Sequence, residues 1–158
     1  MSINYDIVKQ YLDKQRIKAV EIYDFSKKKV KYSDKITGWK INTFKGDEEV
    51  TRAYLLAKLT NELGYKLENI EIEREYDIGR PKVNKPRNDV LVKYDNSEDI
   101  FLYIEVKSPD QYNPDDDTIE KQLFNLASQE IGKGRKVKYL VLYTIDTKTT
   151  NIEDKCIV

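Results

Sequence analysis

The residues best able to do chemistry in this chain are two carboxylates and an ammonium, Asp89, Glu105 and Lys107. In a strand running from Ile100 to Lys107, side chains two apart share a face. Ile100, Leu102, Ile104 and Val106 then point one way, and Phe101, Tyr103, Glu105 and Lys107 the other. Glu105 and Lys107 therefore stand side by side at the strand's C-terminal end. A Glu-x-Lys triplet alone means little in a chain with 35% charged residues; Glu153-Asp154-Lys155 is another, and an ion pair is the simplest reading of either. Glu105 differs in following the most apolar strand of the domain, where a buried charge is costly unless compensated. Asp89, just ahead of Val90-Leu91-Val92, is brought beside it if the two segments form a hairpin. Two carboxylates on rigid strands, with water and a phosphate completing an octahedron, form a usual Mg²⁺ site. Such an ion lowers the pKa of bound water and neutralises charge on a phosphate, while Lys107 orients the attacking water or balances developing charge. The chemistry within reach is hydrolysis of a phosphodiester, and the competing reading is a structural ion cluster.

Other chemistries are excluded by what is missing. The chain contains no histidine and a single cysteine, Cys156. Histidine-dependent triads, histidine zinc sites and an internal disulfide are ruled out. Net charge is zero and mean hydropathy is -0.72, so any contact with nucleic acid must come from local charge. No apolar run approaches the ~18 residues that cross a bilayer, and no signal-peptide pattern opens the chain. A soluble, cytoplasmic protein is expected.

The elements that must position these residues are legible from periodicity. Ile7, Val8, Tyr11, Leu12 and Ile17 form a helical stripe over Tyr5 to Ile17, and alternation around Ala19 to Tyr23 and Val30 to Tyr32 predicts a small hairpin. A second helix runs from Asp47 to Leu63 on Leu55, Leu56, Leu59 and Leu63, stopped by Gly64. Ile70 to Glu73 opens a strand. The Gly79 to Arg87 stretch, with Pro81 and Pro86, reads as a loop. Strands at Asp89 to Tyr94 and Ile100 to Lys107 form an antiparallel hairpin about Asp95 to Glu98. A third helix runs to Gly132 and opens on Asp117 and Glu120, which have the form of a capping box. Tyr139 to Tyr143 is a strand covered on both faces.

Charge runs are usually solvated faces. Arg80, Lys82, Lys85 and Arg87 nevertheless lie just ahead of Asp89 with no acid interrupting them, and are candidate phosphate contacts. Lys133, Arg135, Lys136 and Lys138 are read as surface, Asp115-Asp116-Asp117 as helix capping, and Tyr94, Tyr103, Tyr139 and Tyr143 as core.

Asp89, then Glu105-Val106-Lys107 on the next strand, then the Asp117 to Gly132 helix, resemble the core of the PD-(D/E)xK nucleases. More narrowly, Asp47-Glu48-Glu49-Val50-Thr51-Arg52 leading to Leu63-Gly64-Tyr65 is similar to the "PEExxR…LGY" helix opening the N-terminal domain of type I restriction enzyme R subunits. The likeness spans about Phe44 to Thr144. It implies that Asp89 and Glu105 ligate the metal with the Val106 carbonyl, that Lys107 is catalytic, and that Glu49 joins from the helix. From the residues alone Glu48 is as well placed, since the helix dipole favours any acid in the first turn. Asp47 replaces the family's proline. The family's "QxxxY" stands here as Gln122-Leu123-Phe124-Asn125-Leu126, which keeps Gln122 and lacks the tyrosine, as in a divergent branch fused to an N6-adenine methyltransferase rather than to a motor.

The resemblance implies an α/β fold: a restriction-endonuclease-like α/β/α core with a central mixed sheet at 44–158, preceded at 1–43 by a helix and hairpin. It further implies a Mg²⁺-dependent endodeoxyribonuclease, with Mn²⁺ able to substitute, within a longer restriction-modification polypeptide whose partners are DNA and other domains or subunits. A catalytically silent DNA- or subunit-binding module, and a stand-alone repair or recombination nuclease, are the alternatives.

Overall fold

The computed structural model describes residues 3–38, 41–76, 86–148 and 151–158. Helix α1 (Tyr5–Asp13) is capped by the Asn4 side chain, which accepts from the N–H groups of Asp6 and Ile7, and buries Val8 and Leu12. It ends earlier than the stripe to Ile17 predicts. Strands β1 (Val20–Asp24) and β2 (Lys29–Tyr32) form the expected antiparallel hairpin.

The remaining strands make one mixed sheet: β3 (Thr37–Gly38), β4 (Ile70–Glu75), β5 (Arg87–Lys93), β6 (Ile100–Val106), β7 (Val137–Lys148) and β8 (Asn151–Ile157), in that spatial order. The β4–β5, β5–β6 and β7–β8 pairs are antiparallel, and β3–β4 and β6–β7 are parallel. Strands β3 and β8 were not foreseen. The first is two residues long, and the second alternates too little to signal itself, pairing with β7 only through register. Gly38 permits β3 to approach β4: its φ is +107°, and a Cβ there would lie 1.9 Å from the Ile72 carbonyl oxygen.

Helix α2 (Asp47–Asn61) is buried on nearly every side, because α1 and the β1–β2 hairpin cover the face turned away from the sheet. Its Val50, Leu56 and Leu59 join Ile70, Val90, Ile104, Val141 and the N-terminal Val8, Phe25 and Val30 in one apolar core. Leu63, expected on the apolar stripe, lies beyond the helix and is exposed. Helix α3 (Asp117–Gly132) covers the other face with Leu123, Leu126 and Ala127 against Leu91, Ile100 and Tyr103. Its N-cap is Asp116, which accepts from Thr118 N–H at 2.9 Å, in place of the expected Asp117. The fully buried Glu130 anchors its last turn by accepting from Arg74, Arg135 and Tyr76.

The result is an α/β arrangement with a central mixed sheet flanked by helices, consistent with a restriction-endonuclease-like fold. The alternation expected along β6 holds from Leu102 to Val106. It breaks at the strand's start, where a register irregularity between Val92 and Lys93 turns Ile100 into the α3-side core and Phe101 against Tyr65. Tyr103 and Tyr143 are buried as expected, whereas Tyr94 and Tyr139 are partly exposed. No described helix is long and apolar enough to cross a membrane.

Candidate active site

Asp89 owes its position to the divergence of two strands. The β5–β6 ladder pairs Val92 with Leu102, Leu91 with Tyr103 and Val90 with Ile104, and then stops. Beyond it, side chains bridge the gap. Asn88 Nδ2 donates to the Ile104 carbonyl at 3.2 Å, and Asp89 Oδ2 accepts from the Val106 N–H at 2.7 Å. Buried backbone groups need partners, and here the two side chains supply them where the ladder no longer does. Continuing the register sets Asp89 opposite Glu105, and the β4–β5 register sets Glu73 on the other side of Asp89. Three acids on three adjacent strands thus lie in one row.

Glu105 and Asp89 approach within hydrogen-bonding range of each other. Burial and the Asp89 charge push the Glu105 carboxyl up to about 8, against the pull of Lys107. Burial likewise raises Asp89, although Arg52 and the Val106 N–H oppose this. Two like charges this close do not both ionise readily, so the pair holds a proton into the neutral range. Lys107 Nζ lies 3.3 Å from Glu105 Oε1. Burial alone would lower the lysine, but Glu105, Glu48 and Asp89 outweigh it and raise it.

From the helix, Glu48 and Glu49 reach different places. Glu48 is pushed up to about 7 by burial and then by Asp89, with Lys107 and Arg52 opposing. The Glu49 carboxylate accepts a very short hydrogen bond from Tyr32 Oη and pairs with Arg52 Nε at 3.4 Å. Asp47 opens the helix without capping it. The N-cap is Gly46, with no side-chain cap bond, and Asp47 instead accepts from Ile3 N–H at 3.1 Å and Tyr5 Oη at 2.7 Å, tying the N-terminal segment to α2.

Sequence reasoning gave no role to Arg52, Glu73 or Asn88. Arg52 is 3% exposed and lies among Glu49, Glu73 and Asp89, with its Nη2 hydrogen-bonded to Glu73 and 3.6 Å from Asp89 Oδ1. Its place as the arginine of the PEExxR-like stretch and its three-residue spacing from Glu49 on one helix were the available signals. Glu73 and Asn88 carried none, since they enter only through register.

Gln122 is exposed on α3, and no hydrogen bond or ion pair joins it to Asp89, Glu105 or Lys107 among the described residues. Arg87 lines the cleft in front of α2, where it pairs with Glu75 at 3.0 Å and Glu73 at 3.8 Å. Arg80, Lys82 and Lys85 lie outside the described residues. That cleft, of about 640 Å³, is also lined by Lys45, Glu48, Arg52, Ser108 and Gln111.

Among the described residues, no three of His, Cys, Asp and Glu are arranged to hold a metal ion. What the row offers is a pair, Asp89 and Glu105. Their donors are all oxygen, and their mutual repulsion is of the kind that a hard divalent cation relieves, so the donor set fits Mg²⁺ or Mn²⁺.

The chain belongs to the family described as type I restriction enzyme R protein N terminus (HSDR_N), whose model matches residues 47–142, more than half of its length. No curated protein sequence matches it.

Proposed function

We propose that this chain is the nuclease domain of a type I-like restriction-modification protein and hydrolyses DNA phosphodiester bonds with Mg²⁺. The observation that carries the reading is the convergence of Asp89 and Glu105 at the end of a diverging strand pair, with Lys107 3.3 Å from Glu105, inside the segment that the family spans. Asp89, Glu105 and the Val106 carbonyl would hold the ion, which when bound activates water and neutralises charge on the phosphate. Lys107, already raised by its acidic neighbours, stays protonated and offers its charge to the phosphoryl oxygens. Of the two helix acids we assign Glu48 to the site and Glu49 to holding Arg52, because Glu48 shares the field of Asp89 and Lys107 while Glu49 is engaged by Tyr32 and Arg52. Asn88 spans the fork and fixes the direction of the Asp89 backbone. Arg80, Lys82, Lys85 and Arg87 would track the DNA backbone. We retain Gln122 as a substrate contact on the resemblance alone. Restriction-complex subunits or further domains are the proposed partners, and residues 44–158 the proposed catalytic unit.

Lys107→Ala tests the assignment in the full restriction assembly. Cleavage should fall at least about 10²-fold, a typical loss for one preorganised charge, while Mn²⁺ binding measured by calorimetry stays close to that of the parent. Loss of metal affinity in a folded variant would make Lys107 a structural partner and count against the reading.

A further inference from the structure

The row of acids contains one residue that breaks the rules of its own strand. Glu73 lies in β4 with φ +54°, the left-handed region that an L side chain occupies at a cost. The consequence is a change of face. Before it, Ile70 and Ile72 point into the α2-side core; after it, Arg74 and Tyr76 turn to α3, where both meet Glu130. Glu73 itself is directed towards α2 and hydrogen-bonds Arg52 Nη2. Among the described residues, strand β3 pairs with β4 only as far as Ile72, one residue before the inversion.

That contact decides where a buried cation sits relative to Asp89. The Arg52 Nη2 group is 3.6 Å from Asp89 Oδ1, an ion-pair distance too long for a hydrogen bond. Glu49, braced by Tyr32, forms an ion pair with Arg52 Nε at 3.4 Å without a hydrogen bond, and Glu73 accepts a hydrogen bond from Nη2. Asp89 Oδ2 is already committed to the Val106 N–H. Oδ1 is the oxygen that Arg52 approaches, so its openness to a cation depends on how far Arg52 is kept back.

We propose that Glu73 is a positioning residue, which restrains the Arg52 guanidinium so that it orients Asp89 without capping the Oδ1 oxygen needed by the metal. This rests on the nuclease reading above. A guanidinium is a fixed fork that prefers bidentate carboxylate contacts. Released from Glu73, it moves the short remaining distance onto Asp89 and competes with the cation.

The experiment is Mn²⁺ calorimetry, with circular dichroism melts to verify folding, on the parent, Asp89→Asn, Glu73→Gln and the double variant Glu73→Gln/Arg52→Gln. Glu73→Gln should fold and bind Mn²⁺ at least tenfold more weakly. Removing Arg52 in that background should restore affinity to within about threefold of the parent, a rescue that mere structural damage would not give. Should the double variant fail to fold, Glu73→Gln/Arg52→Lys takes its place, since the shorter side chain keeps the charge and loses the fork; affinity should again recover. Glu73→Gln binding as tightly as the parent, or no recovery in a folded double variant, overturns the positioning role. A parent whose Mn²⁺ heat is unchanged by Asp89→Asn overturns the metal reading beneath it, so the two failures are told apart.

Discussion

Asp89, Glu105 and Glu48 are buried carboxylates whose pKa values burial raises, and the charge on Asp89 pushes Glu105 and Glu48 up further. An acid whose folded-state pKa lies above its unfolded value contributes stability that is fully present below the unfolded pKa and is lost as the pH rises through the folded one. For Glu105 and Glu48 that window runs from the ordinary glutamate value of 4.5 up to about 8 and about 7. The metal-free domain should therefore lose stability between pH 4.5 and 8, while Mn²⁺ affinity rises over the same interval as the sites deprotonate. Melts at both ends of the range, with and without Mn²⁺, check both; a metal-induced shift independent of pH would separate these acids from the ion. Asp89→Asn removes one repelling charge, so the metal-free variant should melt no lower than the parent. In Mn²⁺ the order should reverse, because a ligand that binds only the folded state stabilises it and the variant has lost an anionic donor. Strong destabilisation without metal and an unchanged shift with it would make Asp89 an ion-pair partner of Arg52 alone.

Among the elements, α2 and the β4–β6 strands do the positioning, and each departs from regularity where the site lies. The β5–β6 ladder opens at Asp89, β4 inverts at Glu73, and α2 begins without a side-chain cap. The edge strand β3 steadies β4 through a glycine-dependent approach at Ile72, next to the inversion. Gly38→Ala should cost about 2 kcal/mol or more, because it adds a left-handed alanine to a direct clash with the Ile72 carbonyl. A lowered melting temperature at unchanged secondary structure is the expected result, and an unchanged one would mean that β3 does not constrain β4. Strands β4 to β7 and helices α2 and α3 were legible because their apolar spacing is strong. Caps were not: Asp116 and Asp117 are equally suitable by type, and only the local backbone selects Asp116.

At the scale of the whole molecule, net charge is zero, so the proposed attraction to DNA would rest on local charge, above all on Arg80, Lys82, Lys85 and Arg87 ahead of Asp89 in the chain. The isolated chain should bind duplex DNA weakly, without sequence preference, and less tightly as salt rises. Replacing Arg80, Lys82 and Lys85 together with alanine should flatten the dependence of log affinity on log salt by about two to three released ions, on the rule of roughly 0.9 per phosphate contact. Fluorescence anisotropy across a salt series measures the slope; an unchanged slope would assign these residues to a solvated face.

Asp89, Glu105 and Lys107, the helices that flank them and the family to which they point were readable from residue types, because strand alternation and helical periodicity are local properties. The exclusion of histidine and disulfide chemistry followed from composition alone. What only the tertiary structure decided is which charges meet. Glu73 joins Asp89 through strand register and a left-handed backbone, Glu48 and Glu49 part company because a tyrosine of the N-terminal hairpin claims the second, and Arg52 becomes a buried hub among acids from three elements. Apart from the Arg52–Glu49 pair on one helix, those contacts join positions 16 to 37 residues apart in the chain, and no local pattern encodes which of several equivalent carboxylates lies nearest a buried cation.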